Sequence, residues 1–478
     1  MTKLEQQIKF GTDGWRGVIG KDFNLKNVQI AAQAVSAYFS KMSSKTPCIA
    51  VGYDTRRLSR ESAVRIAQVF AGNGIEVILS DRAVPSQVIS YTVRYRRCTA
   101  GVMVTASHNP ARYNGLKIKG GFGGPVEEEV TREIERMLFK SKPARITLQK
   151  ARRLKLVKIN NLLSDYSVFL RAYMDVSIFN KVPLKVLVDS MHGAGGFYIA
   201  RLLKGTQVQV TTVRARRDPS FGGVNPEPIE KNLQKTSLLM RRSSFDICLV
   251  TDGDADRIAA LDSRGEFISP QRIISLLLLH LLRYRKLTGA VVKTISGTSL
   301  LERIAQKYGL EVYETPVGFK HISSLMEKKN VLIGGEEAGG IGVKNYLSER
   351  DGLLCGLLLL EMMAVNNKSI IELLKEMEEE FGQYVYLRKD ITCTLEEKTK
   401  IKAGIDSMHG LKTFSGRKVS GMKDYDGTKL YLDNGAWILF RLSGTEPIVR
   451  IYTEAATRDE AENLILAGTE LLLHRDLR

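Results

Sequence analysis

From Val28 to Val365 the sequence alternates short apolar runs with longer helical stretches, and this rhythm constrains the fold most. The runs Cys48 to Tyr53, Ile75 to Ser80, Gly101 to Thr105, Leu184 to Asp189, Ile247 to Thr251 and Ala290 to Thr294 are largely apolar without alternation. Such runs suit strands covered on both faces, which requires helices on each side of a sheet. Val28 to Phe39, Ser59 to Asn73, Val126 to Lys140, Ile273 to Arg283 and Gly352 to Val365 supply helical patterns between them. The expected class is α/β, in layers. At 478 residues the chain exceeds one core, and about 150 residues per domain gives three or four domains. A basic segment from Ser141 to Lys158, broken by Pro143, marks the first expected boundary. Past Ser369 the α/β rhythm stops. Four domains are expected, over 1–150, 151–261, 262–375 and 376–478: three similar mixed α/β domains and a smaller C-terminal α+β domain.

The formal net charge of +19 admits nucleic acid, an anionic surface or small anionic substrates. The basic clusters are short and dispersed (Arg94 to Arg97, Arg152-Arg153, Arg214 to Arg217, Arg241-Arg242), with no basic tail and no cysteine–histidine zinc framework. Scattered arginines of this kind make a solvated surface, so no nucleic-acid partner is expected. Five widely spaced cysteines without a CxxC suit reduced thiols. The opening MTKLEQQIKF lacks the apolar core of a signal peptide. The greasiest stretch, Ile273 to Leu282, carries Ser275 and His280 and is too short to span a bilayer. A soluble, cytoplasmic protein with no membrane partner is the expectation.

Chemistry concentrates where the apolar runs end. Phe10 to Gly17 (FGTDGWRG) places three glycines around Arg16, a loop that can approach a ligand with its backbone and aim a guanidinium at an anion. Gly101 to Thr105 runs into Thr105-Ala106-Ser107-His108-Asn109-Pro110, where the Asn-Pro pair breaks regular structure. Ser107 is thereby held on a constrained loop beside His108, ten residues before Lys117. A loop serine alone is usually a turn former. His192-Gly-Ala-Gly-Gly196 approaches a dinucleotide fingerprint but has Tyr198 at the third glycine position. Ile247 to Thr251 runs into Asp252-Gly-Asp-Ala-Asp-Arg257, whose three aspartates form an oxygen cage suited to a hard cation such as Mg²⁺. An EF-hand fails twice, because its sixth position is Arg257 and its twelfth is Ser263. Gly334 to Gly340 holds Glu336 and Glu337 between glycines, either a solvated turn or a loop that closes over hydroxyls. Arg441 to Pro447 (RLSGTEP) puts an arginine, two hydroxyls and a glycine together as an oxyanion cradle.

TASHNP, DGDADR, GEEAGG and RLSGTEP, preceded by FGTDGWRG, stand in this order at strand ends, one in each expected domain. Together they resemble the α-D-phosphohexomutase superfamily over essentially the whole chain. The resemblance implies four domains around a central cleft and a serine, here Ser107, that carries a phosphoryl group. It implies transfer of that group to a sugar phosphate, giving a bisphosphate such as glucose 1,6-bisphosphate that returns its other phosphate to the serine. Ser107 with Asp252, Asp254 and Asp256 would complete the shell of a Mg²⁺, while His108 and Lys117 are alternative general bases. Arg16 and Arg257 would hold phosphoryl oxygens, and Arg441, Ser443, Gly444 and Thr445 the distal phosphate. Lys293 and Lys320 are further expected ligand contacts.

The GEE loop preceded by GFK resembles glucose-type mutases more than the GEMSGH loop of dual mannose/glucose enzymes or the GEQSGH loop of phosphoglucosamine mutases. Ala338-Gly339 departs from the serine many glucose enzymes carry nearby, and a phosphopentomutase shares a related EEA sequence. A phosphoglucomutase also acting on mannose phosphates is the expected function, as a monomer or homodimer. A serine hydrolase is disfavoured by the absence of a GxSxG elbow. A non-catalytic binder of anions or nucleic acid would have no use for Ser107, the aspartate triplet and Glu336-Glu337 together.

Overall fold

The computed structural model describes residues 8–11, 13–42, 46–406, 408–442 and 448–473. It divides into two compact units, Met1–Ala290 with Gly318–Glu372, and Val291–Val317 with Leu373–Arg478.

The first unit opens with a seven-stranded mixed sheet. Its strands are β1 (Phe10–Gly11), β2 (Gly14–Val18), β3 (Cys48–Tyr53), β4 (Glu76–Ser80), β5 (Ala100–Val104), β6 (Tyr113–Gly120) and β7 (Val157–Asn160), in the order β1-β2-β6-β5-β3-β4-β7. β3 pairs in parallel with β4 and β5, while β6 runs antiparallel to β5 and β2. The apolar runs end as predicted in buried strands: every residue of β5 is buried. The sheet passes the boundary expected at residue 150, because β7 pairs with β4. An edge strand needs only one covered face. Val157 is buried while Lys158 and Ile159 are exposed, and that half-polar pattern reads as linker in the sequence.

A five-stranded sheet follows, with β8 (Lys185–Asp189), β9 (Gln209–Val213), β10 (Ile247–Thr251), β11 (Ile258–Asp262) and β12 (Phe267–Ile268) in the order β12-β11-β10-β8-β9. The antiparallel pair β10 and β11 presents Asp252 to Arg257 as its connecting loop. Helix Pro270–Arg283 starts on Ser269, whose hydroxyl accepts from the Arg272 amide, with proline at the first turn where no amide proton is needed. Helix Gly352–Asn366 starts on Asp351 in the same way and is buried from Gly352 to Ala364. Among the described residues no single helix is long and apolar enough to cross a membrane.

The third expected domain is shared between the units. β13 (Ala290–Thr294) and β14 (Val312–Thr315) pair in parallel, and β15 (Val331–Gly335) forms an antiparallel hairpin with β16 (Ile341–Val343) in the first unit. The remainder of the second unit is a six-stranded sheet: β17 (Val385–Thr392), β18 (Thr413–Phe414), β19 (Arg417–Lys423), β20 (Thr428–Leu432), β21 (Trp437–Leu442) and β22 (Ile448–Ala455), ordered β17-β22-β21-β20-β19-β18. Helix Arg458–Leu473 packs against it. Along β21 the side chains alternate. Ile438 and Phe440 enter the core with Leu464 of that helix, and Trp437 and Leu439 pack on the other face with Ile295 and Tyr452. Both faces are covered, which explains why Trp437 to Phe440 is apolar without a break.

That second face buries an ammonium. Lys429 is fully buried, donates to the Ile295 carbonyl at 2.7 Å, and lies 3.8 Å from the Trp437 ring centroid. Burial, with Lys293 nearby, pulls its amine down to about 7. The unfolded chain holds this proton up to its ordinary value of 10.5. The cost of burying the charge is therefore complete below pH 7 and fades as pH rises from 7 toward 10.5. Lys429→Met should be stabilised relative to the native chain at pH 6. Its advantage in denaturant melts should shrink by roughly 1.4 kcal/mol per pH unit above pH 7. An advantage that does not change between pH 6 and pH 9 would show that Lys429 is charged throughout.

Candidate active site

Ser107 stands at the end of β5 with its backbone in the left-handed region (φ 49°), an uncommon choice for a residue with a side chain. Two neighbours hold it there. The Thr105 hydroxyl accepts from the Ser107 amide at 2.8 Å and donates to Asp54 at 2.7 Å. Arg56, buried just past β3, donates to four carbonyls of the loop: Ser107, Asn109 at 2.6 Å, Pro110 at 3.0 Å and Tyr113 at 3.1 Å. Its guanidinium pairs with Asp54 at 3.2 Å and lies 4.8 Å from the Phe221 ring centroid. A planar fork with several fixed donors suits this task, and a lysine cannot reproduce it. Arg56→Lys is expected to lower kcat by about ten- to a hundredfold with a smaller change in KM, since a loop loosened by about 1 Å misplaces the reacting oxygen. Steady-state kinetics with a matched melting curve check this. A fall in stability with kcat unchanged would limit Arg56 to holding the fold.

The Ser107 hydroxyl donates to Asp252 at 2.7 Å, and its oxygen lies 3.5 Å from His108 Nδ1. Asp252, Asp254 and Asp256 are fully buried, and one oxygen from each lies within 4.8 Å of the others. The loop closes on itself where the Asp256 and Arg257 amides donate to Asp252 at 3.1 and 3.3 Å. Gly253 is required by close approach, since a Cβ there would sit 2.4 Å from the Ser107 carbonyl. The glycine run after β8 serves the same loop. A Cβ on Gly193 would meet the Asp252 carbonyl at 2.6 Å, and Ala194 donates to Gly253 at 2.9 Å. This accounts for the incomplete dinucleotide fingerprint as a buttress.

Buried carboxylates repel, so counter-charge gathers around them. Lys117 lies 2.7 Å from Asp256, 2.8 Å from Asp254 and 3.1 Å from Asp13. Burial alone would lower its ammonium pKa, but these three carboxylates raise it on balance. Arg350 reaches Asp256 and Glu336, each at 2.8 Å, and Asp13 at 2.5 Å. Asp252 is raised well above the usual carboxylate range by burial and by Asp254 and Asp256. Asp254 is lowered, its burial outweighed by Lys117 and by hydrogen bonds from Lys117 and Ser86. The buried oxygens Asp254 Oδ1 and Asp256 Oδ1 have no hydrogen-bond partner. Carboxylate and hydroxyl oxygens alone, two of them unsatisfied, fit a hard divalent cation.

Arg16 donates to the Asn109 side chain and lies 3.5 Å from Asp13. Arg257 is buried with its Nε unpartnered, and its backbone bridges to Gly340. The Gly335 to Gly340 loop is therefore pinned beside the aspartates, with Glu336 buried against Arg350 and Glu337 half-buried. Burial raises the Glu336 carboxyl, with Arg350 opposing. Lys320, 2.9 Å from Glu128, lines one small cleft with Asp13 and Lys117.

Other expected residues are described within the second unit. Lys293 belongs to the second unit, where it is 1% exposed, pairs with Glu302 at 2.8 Å and donates to the carbonyls of Gly297 and Thr298. Arg441, also in the second unit, pairs with Asp426 at 2.9 Å. Ser443, Gly444 and Thr445 lie outside the described residues. Sequence reasoning missed Arg56, Asp13, Ser86 and Arg350. Asp13 stood inside a motif already singled out, whereas Arg56 and Arg350 carry no local signal.

Four family profiles match the chain in order. They are phosphoglucomutase/phosphomannomutase alpha/beta/alpha domain I over 7–145, domain II over 164–265, domain III over 269–381 and the C-terminal domain over 391–467. A phosphoglucosamine/phosphogalactosamine mutase of Sulfurisphaera tokodaii is 30% identical over 460 residues, 95% of this chain and 97% of its own. A phosphoglucomutase/phosphomannomutase of Thermococcus kodakarensis is 29% identical over 465 residues, 97% and 98% of the two chains. A crystal structure from Thermus thermophilus, of a protein assigned as a phosphomannomutase, superposes with a TM-score of 0.86 at 33% identity, covering 98% of this chain and 99% of that one.

Proposed function

The chain belongs to the α-D-phosphohexomutase superfamily, whose members are phosphotransferase isomerases, and from that premise we propose that it interconverts α-D-glucose 1-phosphate and glucose 6-phosphate through a phosphoserine at Ser107. The observation that carries this reading is the Ser107 hydroxyl held 2.7 Å from Asp252 within a buried aspartate triplet. A hydroxyl of the sugar phosphate attacks the phosphorus on Ser107. The bond from phosphorus to Ser107 Oγ breaks, the hydroxyl proton leaves to a base, and a bisphosphorylated sugar forms. After the sugar turns over, its other phosphate returns to Ser107 by the reverse chemistry.

Asp252, Asp254 and Asp256, with the serine oxygen, would hold Mg²⁺, which when bound neutralises charge during transfer. Arg257 offers its unpartnered Nε to a phosphoryl oxygen, and Arg16 fixes Asn109 of the serine loop. His108, whose Nδ1 lies 3.5 Å from Ser107 Oγ, is the candidate to take the serine proton. Lys117 stands as an ammonium among three carboxylates, and acts first as a donor. Lys320 supplies positive charge to the cleft, and Arg441 with Ser443, Gly444 and Thr445 is assigned to the distal phosphate.

The glucose assignment rests on Glu336 and Glu337, carboxylates suited to neighbouring ring hydroxyls. The 3- and 4-hydroxyls are common to glucose and mannose, so mannose 1-phosphate should react more slowly but measurably. Glucosamine phosphate is the second reading, favoured by the name of the 30% identical relative. Side-by-side assays with glucose, mannose, glucosamine and ribose phosphates decide between them. A faster rate on glucosamine phosphate replaces the glucose assignment and leaves the superfamily intact. Glu336→Gln removes a charge-assisted bond and its ion pair with Arg350. It is expected to reduce kcat/KM by roughly ten- to a hundredfold while Ser107 can still be phosphorylated.

A further inference from the structure

Cysteine spacing alone points to isolated, reduced thiols, yet two of the five face each other. Cys48 opens β3, and Cys98 lies two residues before β5, the strand paired with it in parallel at Ile49 and Ala100. The connecting backbone is tied down. The Thr99 amide donates to the Cys48 carbonyl at 2.8 Å, and the Cys48 amide to the Thr99 hydroxyl at 3.2 Å. The two sulfurs share a hydrogen bond at 3.6 Å. Cys48 is half-buried, whereas Cys98 is 3% exposed. The pair sits at the end of β3 and β5 opposite Asp54 and Thr105, and the reaction proposed above does not use it.

We infer that Cys48 and Cys98 are an oxidation site, closing to an intramolecular disulfide when a hydroperoxide reaches Cys48. Their unequal surroundings divide the roles. The hydrogen bond with Cys98 pulls the Cys48 thiol below its ordinary value against the effects of burial and of Glu76, and Lys158 and Arg96 add to the pull. The same bond and burial push Cys98 up. Cys48 is thus the more accessible and more readily deprotonated thiol, and Cys98 the protected thiol beside it, the arrangement of an attacking and a resolving cysteine. The Cys48 thiolate attacks one peroxide oxygen, the oxygen–oxygen bond breaks, and Cys48 becomes a sulfenic acid. Cys98 sulfur then attacks the Cys48 sulfur, expelling the hydroxyl as water. Two thiols and one hydrogen peroxide give one disulfide and two waters. Closure needs the sulfurs to approach from 3.6 Å to about 2.05 Å, a movement within reach of rotation at both side chains. The other three thiols, Cys248, Cys355 and Cys393, are buried.

The test uses the full chain with hydrogen peroxide as probe. Titratable thiols under denaturing conditions should fall from five to three. Intact mass should fall by about 2 Da, and digestion should yield one cross-linked peptide joining Cys48 to Cys98, released by dithiothreitol. The melting temperature should rise by several degrees, because the cross-link closes a loop of about fifty residues in the unfolded chain. Cys98→Ser should lose the cross-link and the thermal shift while keeping its activity. Five thiols still titrating after peroxide, a cross-link elsewhere, or a sulfinic acid on Cys48 without a cross-link would each overturn the inference. A disulfide that forms equally well in Cys98→Ser would do so too.

Discussion

Ser107→Ala is expected to lower turnover by about three orders of magnitude or more while the protein stays folded. The change removes one oxygen and nothing that shapes the loop. Thr105, Asp54 and Arg56 hold the backbone through the Ser107 amide and the surrounding carbonyls, and none of those bonds needs the serine side chain. Alanine tolerates the left-handed conformation about as well as serine does, so the strain at φ 49° is unchanged. The loss is one hydrogen bond to Asp252, worth about 1 kcal/mol. Native melting with lost turnover is therefore the signature of a chemical role. In the active native protein, digestion should place a phosphate on the TASHNP peptide. Near-normal turnover by the variant, with no phosphate elsewhere on the chain, would remove Ser107 from the reaction.

The two halves of this site were unequally visible in the sequence. Ser107, the aspartate triplet and the glutamates stand directly after apolar strands, and a strand end is where a parallel sheet presents its loops, so position and residue type agree. Arg56 and Arg350 give no such cue. Arg56 lies in an ordinary-looking run of charged residues, and its value comes from carbonyls some fifty residues further along the chain. Arg350 joins Asp13, Asp256 and Glu336, which approach only after separate strands have paired. Periodicity reports which face of an element is buried, and cannot report which buried charges meet. The same limit hid β7, whose single covered face leaves Lys158 in solvent. It also bears on Lys293. Lys293 is an expected ligand contact only through the family resemblance, and within its own unit its ammonium meets Glu302 and two carbonyls.

Chelation of divalent metal is expected to abolish turnover, and Asp254→Asn to weaken metal binding and lower activity with partial recovery at high Mg²⁺. The triplet holds three carboxylates within one buried loop, with Lys117 touching two of them and Arg350 pairing with Asp256. Lys117 and Arg350 leave Asp254 Oδ1 and Asp256 Oδ1 without partners, and unpaired buried carboxylate oxygens are costly unless a cation or water meets them. Removing one carboxylate lowers the charge that attracts the metal, so occupancy, rather than the chemistry of a loaded site, should be the first thing lost. Excess metal then restores part of the rate. Asp13→Asn is the control. Asp13 also pairs with Lys117 and Arg350 but lies in the turn just before β2 rather than in the triplet. Its loss should disturb activity without making the enzyme hungrier for Mg²⁺. Titration calorimetry with Mg²⁺, or Mn²⁺ as a spectroscopic probe, reads the affinity without turnover. Equal affinities in the native and Asp254→Asn proteins, or full activity after thorough chelation, would rule out the triplet as the metal site.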